Sequence, residues 1–181
     1  MRPIATFIVF VLFCWACNPA TRMNSSASNA AMDHRDSLRK NLYGISSIVF
    51  GKYCGHCMQN CNAFFHYSKN GGTDTLRSDL SMAFTRGGEL TFPTVLADAE
   101  SKELAAGVYA NLPRTLLTLP VTDSIFGCPD CADQCGVYVE IRQGNGVRKY
   151  RIDTQESSLE GDVKAFSVYI QPVIQQLKEK K

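Results

Sequence analysis

Most of the cysteines in this chain fall into two groups that have the same spacing. Each group has the pattern C-x2-C-x3-C, and the members are Cys54, Cys57 and Cys61 in the first group and Cys128, Cys131 and Cys135 in the second. Three cysteines cannot all pair within one group, so full oxidation requires at least one disulfide between the groups. The pattern therefore predicts either that the two groups lie close together in the fold or that each group has the same role at a separate place.

The N-terminus has the parts of a secretory signal peptide. Arg2 supplies a positive charge, and residues 4–13 form an almost unbroken apolar run. Such a run is too short to cross a bilayer as a helix, which needs roughly 20 apolar residues. It has the length of a signal-peptide core. We therefore predict that the protein is exported.

The end of the signal resembles a lipobox. The small residue Ala16 directly precedes Cys17, although Cys14 stands where a leucine is usual. We predict cleavage after residue 16 and acylation of Cys17, with palmitate among its chains, because two or more chains give stable anchoring. The alternative is ordinary cleavage without a lipid. The expected location is the cell envelope, with the lipid in the outer membrane.

Composition divides the mature chain into a tether and one domain. Residues 17–41 are rich in asparagine, serine and threonine, so we expect a polar tether. Residues 42–181 have the length of one domain. The 19 basic and 17 acidic residues of the full chain nearly balance, and the one basic block is the terminal Lys178-Glu179-Lys180-Lys181, which argues against nucleic-acid binding. The expected partners are the membrane, through the lipid anchor, and an envelope protein.

Periodicity predicts an α+β domain with a mainly antiparallel sheet. Residues 45–50, 61–68 and 73–76 indicate two or three strands near the start, and residues 81–94 indicate a loop with a possible short strand. Asp98 can cap a following helix. Residues 137–152 predict a hairpin, and residues 166–177 a C-terminal amphipathic helix. The expected order is β-β-(β)-α-β-β-α.

Export favours structural disulfides for the six domain cysteines. Cysteine pairs persist in oxidising compartments. A bridge between the groups closes a loop of about 70 residues, which contributes on the order of 4 kcal/mol in the loop-entropy model. Six cysteines allow fifteen pairings, and the spacing does not choose among them.

Thiolate metal binding is an alternative use of the same residues. Cys128-Pro129-Asp130-Cys131 resembles a metal knuckle, and paired C-x2-C groups commonly supply four thiolates to zinc. Thiolate sites persist best where thiols stay reduced, which argues against zinc in an exported protein. We therefore expect no metal and no cofactor.

Thiol–disulfide exchange is a second alternative, because Cys54-Gly55-His56-Cys57 is the tetrad of disulfide isomerases. That chemistry needs Cys54 at a helix N-terminus, where the dipole lowers the thiol pKa. The residues after Cys57 alternate with period two, which predicts a strand instead of the active-site helix. The tetrad therefore lacks its usual context. An oxidoreductase that uses Cys54 and Cys57 stays an alternative hypothesis.

Two motifs together resemble a known protein family. Phe50-Gly51 precedes the first cysteine group, and the second group lies in the string Phe126-Gly127-Cys128-Pro129-Asp130-Cys131-Ala132-Asp133. The pattern is similar to a family of small envelope lipoproteins of Gram-negative bacteria that has no assigned reaction, and the resemblance extends over residues 45–177. It implies a lipobox, a polar tether and one α+β domain, and it implies no activity.

The chain departs from that family at two cysteines. The family's first pair is C-x3-C, which fits Cys57 and Cys61 and leaves Cys54 as an extra residue. Cys135 stands where the family has glycine. The resemblance implies that the two additional cysteines compensate for each other, so we expect a Cys54–Cys135 disulfide.

Other catalytic patterns are missing from the sequence. There is no G-x-S-x-G elbow and no glycine-rich phosphate loop after a strand. His56 and His66 are expected at the surface. The aromatic residues of the predicted strands should mostly be core, and any exposed remainder could form a binding patch. We hypothesise a non-enzymatic, lipid-anchored envelope protein, without catalytic residues, whose disulfide-stapled domain binds or scaffolds a partner.

Overall fold

The structure is a computed structural model that describes residues 44–55, 61–70, 72–129, 131 and 135–180. Within these residues one sheet contains the strands β1 (Ile45–Cys54), β2 (Ala63–Asn70), β3 (Thr73–Asp79), β4 (Thr94–Val95), β5 (Asp123–Phe126), β6 (Cys135–Gln143) and β7 (Gly146–Asp153). The helices are α1 (Ala99–Ala110), α2 (Arg114–Thr118) and α3 (Gly161–Glu179). Short 3-10 turns cover Phe84–Arg86 and Glu156–Ser158. These elements confirm the predicted α+β class.

The strands follow the order β4-β3-β2-β1-β6-β7-β5 across the sheet. All neighbouring pairs are antiparallel except β5 and β7, which are parallel. The two long strands β1 and β6 lie at the centre, and their register runs from Ile45 opposite Gln143 to Cys54 opposite Cys135. The N-terminal and C-terminal hairpins are therefore joined into one sheet by this single central pairing.

The predicted C-terminal hairpin is present, and two of the strands predicted near the start also form a hairpin. The chain turns at Gly144, which has a positive φ of 56°, and β6 pairs with β7 from Gln143 opposite Gly146 onward. The first hairpin pairs β2 with β3, and β3 extends to Asp79, beyond the predicted end at residue 76. Turns that require positive φ favour glycine, which explains why the sequence signals both of them.

The predicted helices also form. The side chain of Asp98 caps α1 by accepting a hydrogen bond from the Ser101 N–H at 2.8 Å. The C-terminal helix α3 has a stripe of buried residues, namely Val163, Phe166, Ser167, Ile170, Val173, Ile174 and Leu177. The apolar stripe faces the sheet because one amphipathic face must be buried for such a helix to be stable.

Two elements differ from the expectation. The sequence did not indicate β5, whose four residues carry no apolar alternation strong enough to predict a strand. The segment before residue 120, where the sequence indicated no helix, contains the five-residue helix α2. The Asp162 carboxylate of α3 holds α2 by accepting hydrogen bonds from the Thr115 N–H at 3.0 Å and the Thr115 hydroxyl at 2.6 Å. Both elements therefore depend on partners that are distant in sequence.

The main core lies between the sheet and the helices. Alternate residues of the central strands, such as Phe50, Phe65 and Val139, are fully buried in this core. Two of the buried tyrosines, Tyr109 and Tyr150, donate hydrogen bonds to the carbonyl oxygens of Ile45 and Leu116, at 3.0 and 2.6 Å respectively. Their polar ends are therefore satisfied, which removes the cost of burying a hydroxyl group.

The predicted signal peptide (1–16), Cys17 and the tether (17–41) lie outside the described residues. No helix in the described part of the chain is both long and apolar enough to span a membrane.

Gly51 occupies a position in β1 where a side chain does not fit. A Cβ atom there would overlap the carbonyl oxygen of Ala63 and would lie 2.6 Å from Cδ1 of Phe64. Gly51 stands opposite Phe64 in β2 and Tyr138 in β6, whose ring centroids are 6.1 Å apart. The missing side chain thus makes room for the Phe64 ring beside the central strand.

We expect Gly51→Ala to destabilise the domain by about 1–3 kcal/mol, because the added methyl group must displace backbone or the Phe64 ring. Urea unfolding of both proteins measures the difference. Gly55→Ala is the matched control, since a Cβ there meets nothing within 4 Å. Equal losses from both substitutions would show that the close packing around Gly51 does not set the cost.

Candidate functional site

The structure places two of the six predicted disulfide residues at the centre of the sheet. Cys54 is the last residue of β1 and Cys135 is the first residue of β6. They stand directly opposite in the register, with Cα atoms 4.0 Å apart, and they are joined by a disulfide. Cys54 is only 7% exposed. The structure thus joins the two cysteines that the family resemblance had singled out.

This disulfide links residues 81 positions apart in the chain. A loop of that length corresponds to about 4.5 kcal/mol of stabilisation in the loop-entropy model. Asn62, which is fully buried, accepts a hydrogen bond from the Cys54 N–H at 3.4 Å and donates to the Thr85 hydroxyl at 2.7 Å. The stapled strand end is therefore also tied to the segment that follows β3.

Cys128 and Cys131 form a second disulfide with both cysteines inside the described residues. It closes a turn after β5, in which the Cys131 N–H donates to the Cys128 carbonyl oxygen at 3.1 Å. Cys61 is also disulfide-bonded, and Cys57 lies outside the described residues. The described domain cysteines are thus all oxidised, which supports the structural disulfide interpretation.

The alternative hypotheses for the cysteines gain no support from this geometry. Cys54 lies at the end of a strand and is bonded to Cys135, whereas exchange through Cys54 and Cys57 needs a helix N-terminus and a mutual pair. His56 and Cys57 lie outside the described residues. Among the described residues, no group of three or more His, Cys, Asp or Glu side chains is placed to hold a metal ion.

Asp153 anchors the turn that carries Cys128. Its carboxylate is almost fully buried and accepts hydrogen bonds from the N–H groups of Cys128 at 2.9 Å and Gln155 at 2.8 Å, and from the Ser158 hydroxyl at 2.8 Å. Desolvation raises the pKa of Asp153, but these hydrogen bonds outweigh it and leave the pKa below its usual value. Gly127 (φ 72°) lets the backbone approach Asp153 closely enough for this contact.

The second face of the sheet differs from the helix-covered face. Among the described residues no α-helix packs on it, and residues 80–93, which we call the cover loop, lie over part of it. We call this side the loop-covered face; it carries Val49, Tyr53, Phe64, His66, Tyr138, Glu140, Arg142 and Lys149. Two of the aromatic residues predicted on strands, Phe64 and Tyr138, are therefore buried on this side and not in the main core.

Aromatic rings fix the cover loop on the sheet. The ring of Phe84 packs against those of Phe64, Tyr138 and Tyr53, with centroid distances of 4.8, 5.0 and 5.3 Å. Aromatic pairs at such distances contribute about 0.5–1.5 kcal/mol each beyond the area that they bury. These ring contacts therefore hold the cover loop on the sheet at Phe84, although the loop pairs with no strand there.

Hydrogen bonds fix both ends of the loop. Asp79, at the end of β3, is almost fully buried and accepts from the N–H groups of Ser81 at 2.8 Å and Thr91 at 2.9 Å. Desolvation raises the pKa of Asp79, yet the hydrogen bonds prevail and the pKa is lowered. One carboxylate thus binds a residue near each end of the cover loop, Ser81 and Thr91, and this fixes the distance between the two ends.

A cavity of about 380 Å³ lies between the cover loop and the sheet. Its apolar wall comes from Val49, Phe84, Leu90, Phe92 and Tyr138, and its polar wall from Glu89, Glu140, Arg142 and Lys149. Concave sites with an apolar wall and a few convergent polar groups are typical of ligand binding. This cavity is the candidate functional site.

Glu140 is the buried charge at the base of this cavity. It is 7% exposed and accepts hydrogen bonds at 2.9 Å from the Tyr138 hydroxyl and from Nε of Arg142. A terminal nitrogen of Arg142 also lies 2.9 Å from the same Glu140 oxygen. The carboxylate is thus paired and hydrogen-bonded, as a buried charge must be.

Burial and the charges of Glu140 and Arg142 shift the pKa values of neighbouring groups. Burial, together with the adjacent Glu140 charge, raises the pKa of Tyr138 well above its usual value, so the hydroxyl stays a donor. Burial and the positive charge of Arg142 lower the pKa of His66, which packs on the Phe92 ring at 5.4 Å. His66 is therefore neutral at pH 7 and part of an aromatic wall.

Phe92 is held in a strained backbone conformation at the rim. Its φ of 49° makes it the one non-glycine residue with positive φ in the described part of the chain. Arg77 of β3 supports it by donating from Nε to the Phe92 carbonyl oxygen at 2.8 Å. Such strain persists only where the surroundings enforce it, and it concentrates at functional sites.

The sequence did not single out this site. The alternation of β6 correctly separates Val137, Val139 and Ile141 from Tyr138, Glu140 and Arg142, but alternation alone assigns the second set to solvent. The glutamate and arginine two residues apart signal a shared face. What covers that face depends on the loop, which has no periodicity of its own.

Comparison with known proteins finds no matching protein family, no matching curated protein and no matching solved structure. The resemblance to envelope lipoproteins therefore stays a prediction from the sequence motifs.

We expect Asp153→Asn to lower the free energy of unfolding at pH 7 by about 1–3 kcal/mol, because the amide places a donor against a buried N–H group. The lowered pKa of Asp153 stabilises the folded state fully above the unfolded pKa of about 3.9. That contribution is lost as the pH falls through the folded pKa. Urea unfolding between pH 7 and pH 3 should show the two proteins converging. A difference that stays constant over this range would contradict the assignment.

Proposed function

We propose that this chain is a non-enzymatic, exported envelope protein that is held at the membrane by a lipid on Cys17 and binds a partner protein on the loop-covered face. The observation that supports binding is the cavity of about 380 Å³ between the cover loop and the sheet. Its occupant is an acidic segment of the partner that also carries apolar side chains.

Charge complementarity supports an acidic occupant. Arg142 lines the cavity with 53% of its side chain exposed, and Lys149 lines it from β7. Lys149 has no salt-bridge partner among the described residues. Arg142 already neutralises Glu140, and Glu89 on the cover loop forms no ion pair with Lys149 among the described residues. Lys149 is therefore a cationic group at the rim that a carboxylate of the partner can approach.

The cavity walls support an apolar component in the same segment. Phe84, Leu90 and Phe92 come from the cover loop, and Val49 comes from the central strand. Aromatic and aliphatic anchors in a preformed pocket supply most of the binding energy at protein interfaces. The loop is fixed at both ends by Asp79, so binding does not need to order it.

A labelled peptide in which leucine alternates with aspartate should bind the mature domain, and a peptide in which lysine replaces each aspartate should not. Lys149→Glu should weaken binding of the acidic peptide about tenfold, or about 1.4 kcal/mol, because it reverses the rim charge. Fluorescence anisotropy at low and high salt measures both effects.

Lys164→Glu is the matched control, since it makes the same charge change on α3, on the opposite side of the sheet. It should leave peptide affinity unchanged. Equal loss in both variants would mean that net charge and not the loop-covered face governs the interaction. Equal binding of both peptides would show that the site does not select acidic side chains, and it would overturn the proposed occupant. Absence of binding to either peptide would overturn the proposed occupant.

The lipid anchor is tested at Cys17. In a Gram-negative host, Cys17→Ser should abolish incorporation of radiolabelled palmitate and release the protein from the outer-membrane fraction, because the acylated thiol is lost. Cys14→Ser is the control and should leave both properties intact. Palmitate incorporation into the Cys17→Ser protein would overturn the anchoring assignment.

A further inference from the structure

The Cys128–Cys131 disulfide differs in exposure from the disulfide at the centre of the sheet. Both Cys128 and Cys131 are exposed, whereas Cys54 is 7% exposed. Thiol–disulfide exchange requires a thiolate to approach a sulfur along the S–S axis, so access to the sulfurs limits its rate. Cys135 is partly exposed, so of the two disulfides whose cysteines are both described, Cys128–Cys131 is the more accessible to an external thiolate.

The exposed disulfide also closes the shorter loop. Its cysteines are 3 positions apart in sequence, against 81 for the central pair. The entropic stabilisation by a disulfide grows with the logarithm of loop length. Opening the exposed disulfide therefore releases little chain entropy, and it does not separate the two central strands.

The turn that carries the disulfide is held by contacts that do not involve sulfur. The Cys128 N–H donates to the Asp153 carboxylate at 2.9 Å. Pro129, between the two cysteines, is buried. It packs closely on Gly136 of β6, because a Cβ atom added to Gly136 would lie only 2.8 Å from the Cβ of Pro129. These anchors keep the turn in place when the S–S bond opens, so the reduced form can be oxidised again without refolding.

The chain offers space for a partner next to this turn. A cavity of about 420 Å³ lies beside the residue that precedes Cys128 and is lined by Phe126, Gly127, Ser158, Leu159 and Gly161, among others. Neither cysteine lines this cavity, but Gly127, which does, directly precedes Cys128, so a segment of another protein that occupied the cavity would lie next to the turn. The cavity is separate from the one under the cover loop.

We propose that Cys128–Cys131 is a thiol–disulfide exchange site that accepts two electrons from a dithiol of a partner protein. A thiolate of the partner attacks one sulfur of the pair; a mixed disulfide forms, the Cys128–Cys131 bond breaks, and the other cysteine leaves as a thiolate that takes up a proton. The second thiol of the partner then loses its proton and displaces the first cysteine. The partner ends as a disulfide, and Cys128 and Cys131 end as thiols.

The test uses dithiothreitol, a small dithiol, on the mature protein under native conditions. Thiols are alkylated at intervals and located by peptide mapping, while circular dichroism follows the fold. Cys128 and Cys131 should become alkylated at least about tenfold faster than Cys54 and Cys135, with the fold retained. Equal rates, or reduction of Cys128–Cys131 only when the domain unfolds, would overturn the proposal.

A pair of single variants tests the mixed-disulfide step. Cys131→Ser leaves the Cys128 thiol alone on the exposed turn, and Cys135→Ser leaves the Cys54 thiol alone in the sheet. With oxidised glutathione, the Cys131→Ser protein should form its mixed disulfide at least about tenfold faster. If Cys135→Ser does not fold, Cys131→Ser is compared with its own urea-unfolded form instead. A folded rate more than about tenfold below the unfolded rate would show a blocked sulfur and overturn the proposal.

Discussion

The pairing of β1 with β6 is the interaction on which the rest of the structure depends. It brings together two strands that are far apart in the chain and sets their register over the full length of both, from Ile45 opposite Gln143 to Cys54 opposite Cys135. Closing the long loop between two such strands costs conformational entropy, and this cost precedes the stabilisation that their contacts supply. The Cys54–Cys135 disulfide lies at the last pair of this register and removes much of that entropy from the unfolded chain.

Once this register is set, the side chains of both hairpins are assigned to two faces. The face under α1 and α3 is a dry core in which the hydroxyls of Tyr109 and Tyr150 donate to carbonyl oxygens and that of Tyr67 donates to the Asp74 carboxylate. The other face carries the Tyr138–Glu140–Arg142 network and a smaller aromatic cluster. A one-residue slip would exchange the two faces and place Glu140 in the dry core, so the register also specifies the candidate site.

Buried polar side chains at strand ends connect these faces to the loops. Asn62 ties the N–H of Cys54 to the cover loop, Asp79 receives both ends of that loop, and Asp153 holds the turn that carries Cys128. Each is nearly inaccessible to solvent, so each of these hydrogen bonds would be costly to lose. The irregular segments thus take their shape from fixed points on the sheet, and this explains how a loop with only one short 3-10 turn can form one wall of a cavity.

The sequence alone determined the elements whose signals are local. The glycine-rich turns, the alternation in β6, the Asp98 cap and the apolar stripe of α3 each depend on neighbours within a few residues, so the α+β class and most elements could be predicted. The cysteine spacing predicted a bridge between the groups, and the family resemblance indicated which two residues would form it. The short elements β5 and α2 could not be predicted, because each is held by a distant partner: β7 for the first and Asp162 for the second. The cavity likewise required the tertiary structure, since only the folded sheet brings β6, β7 and the cover loop within contact of one another.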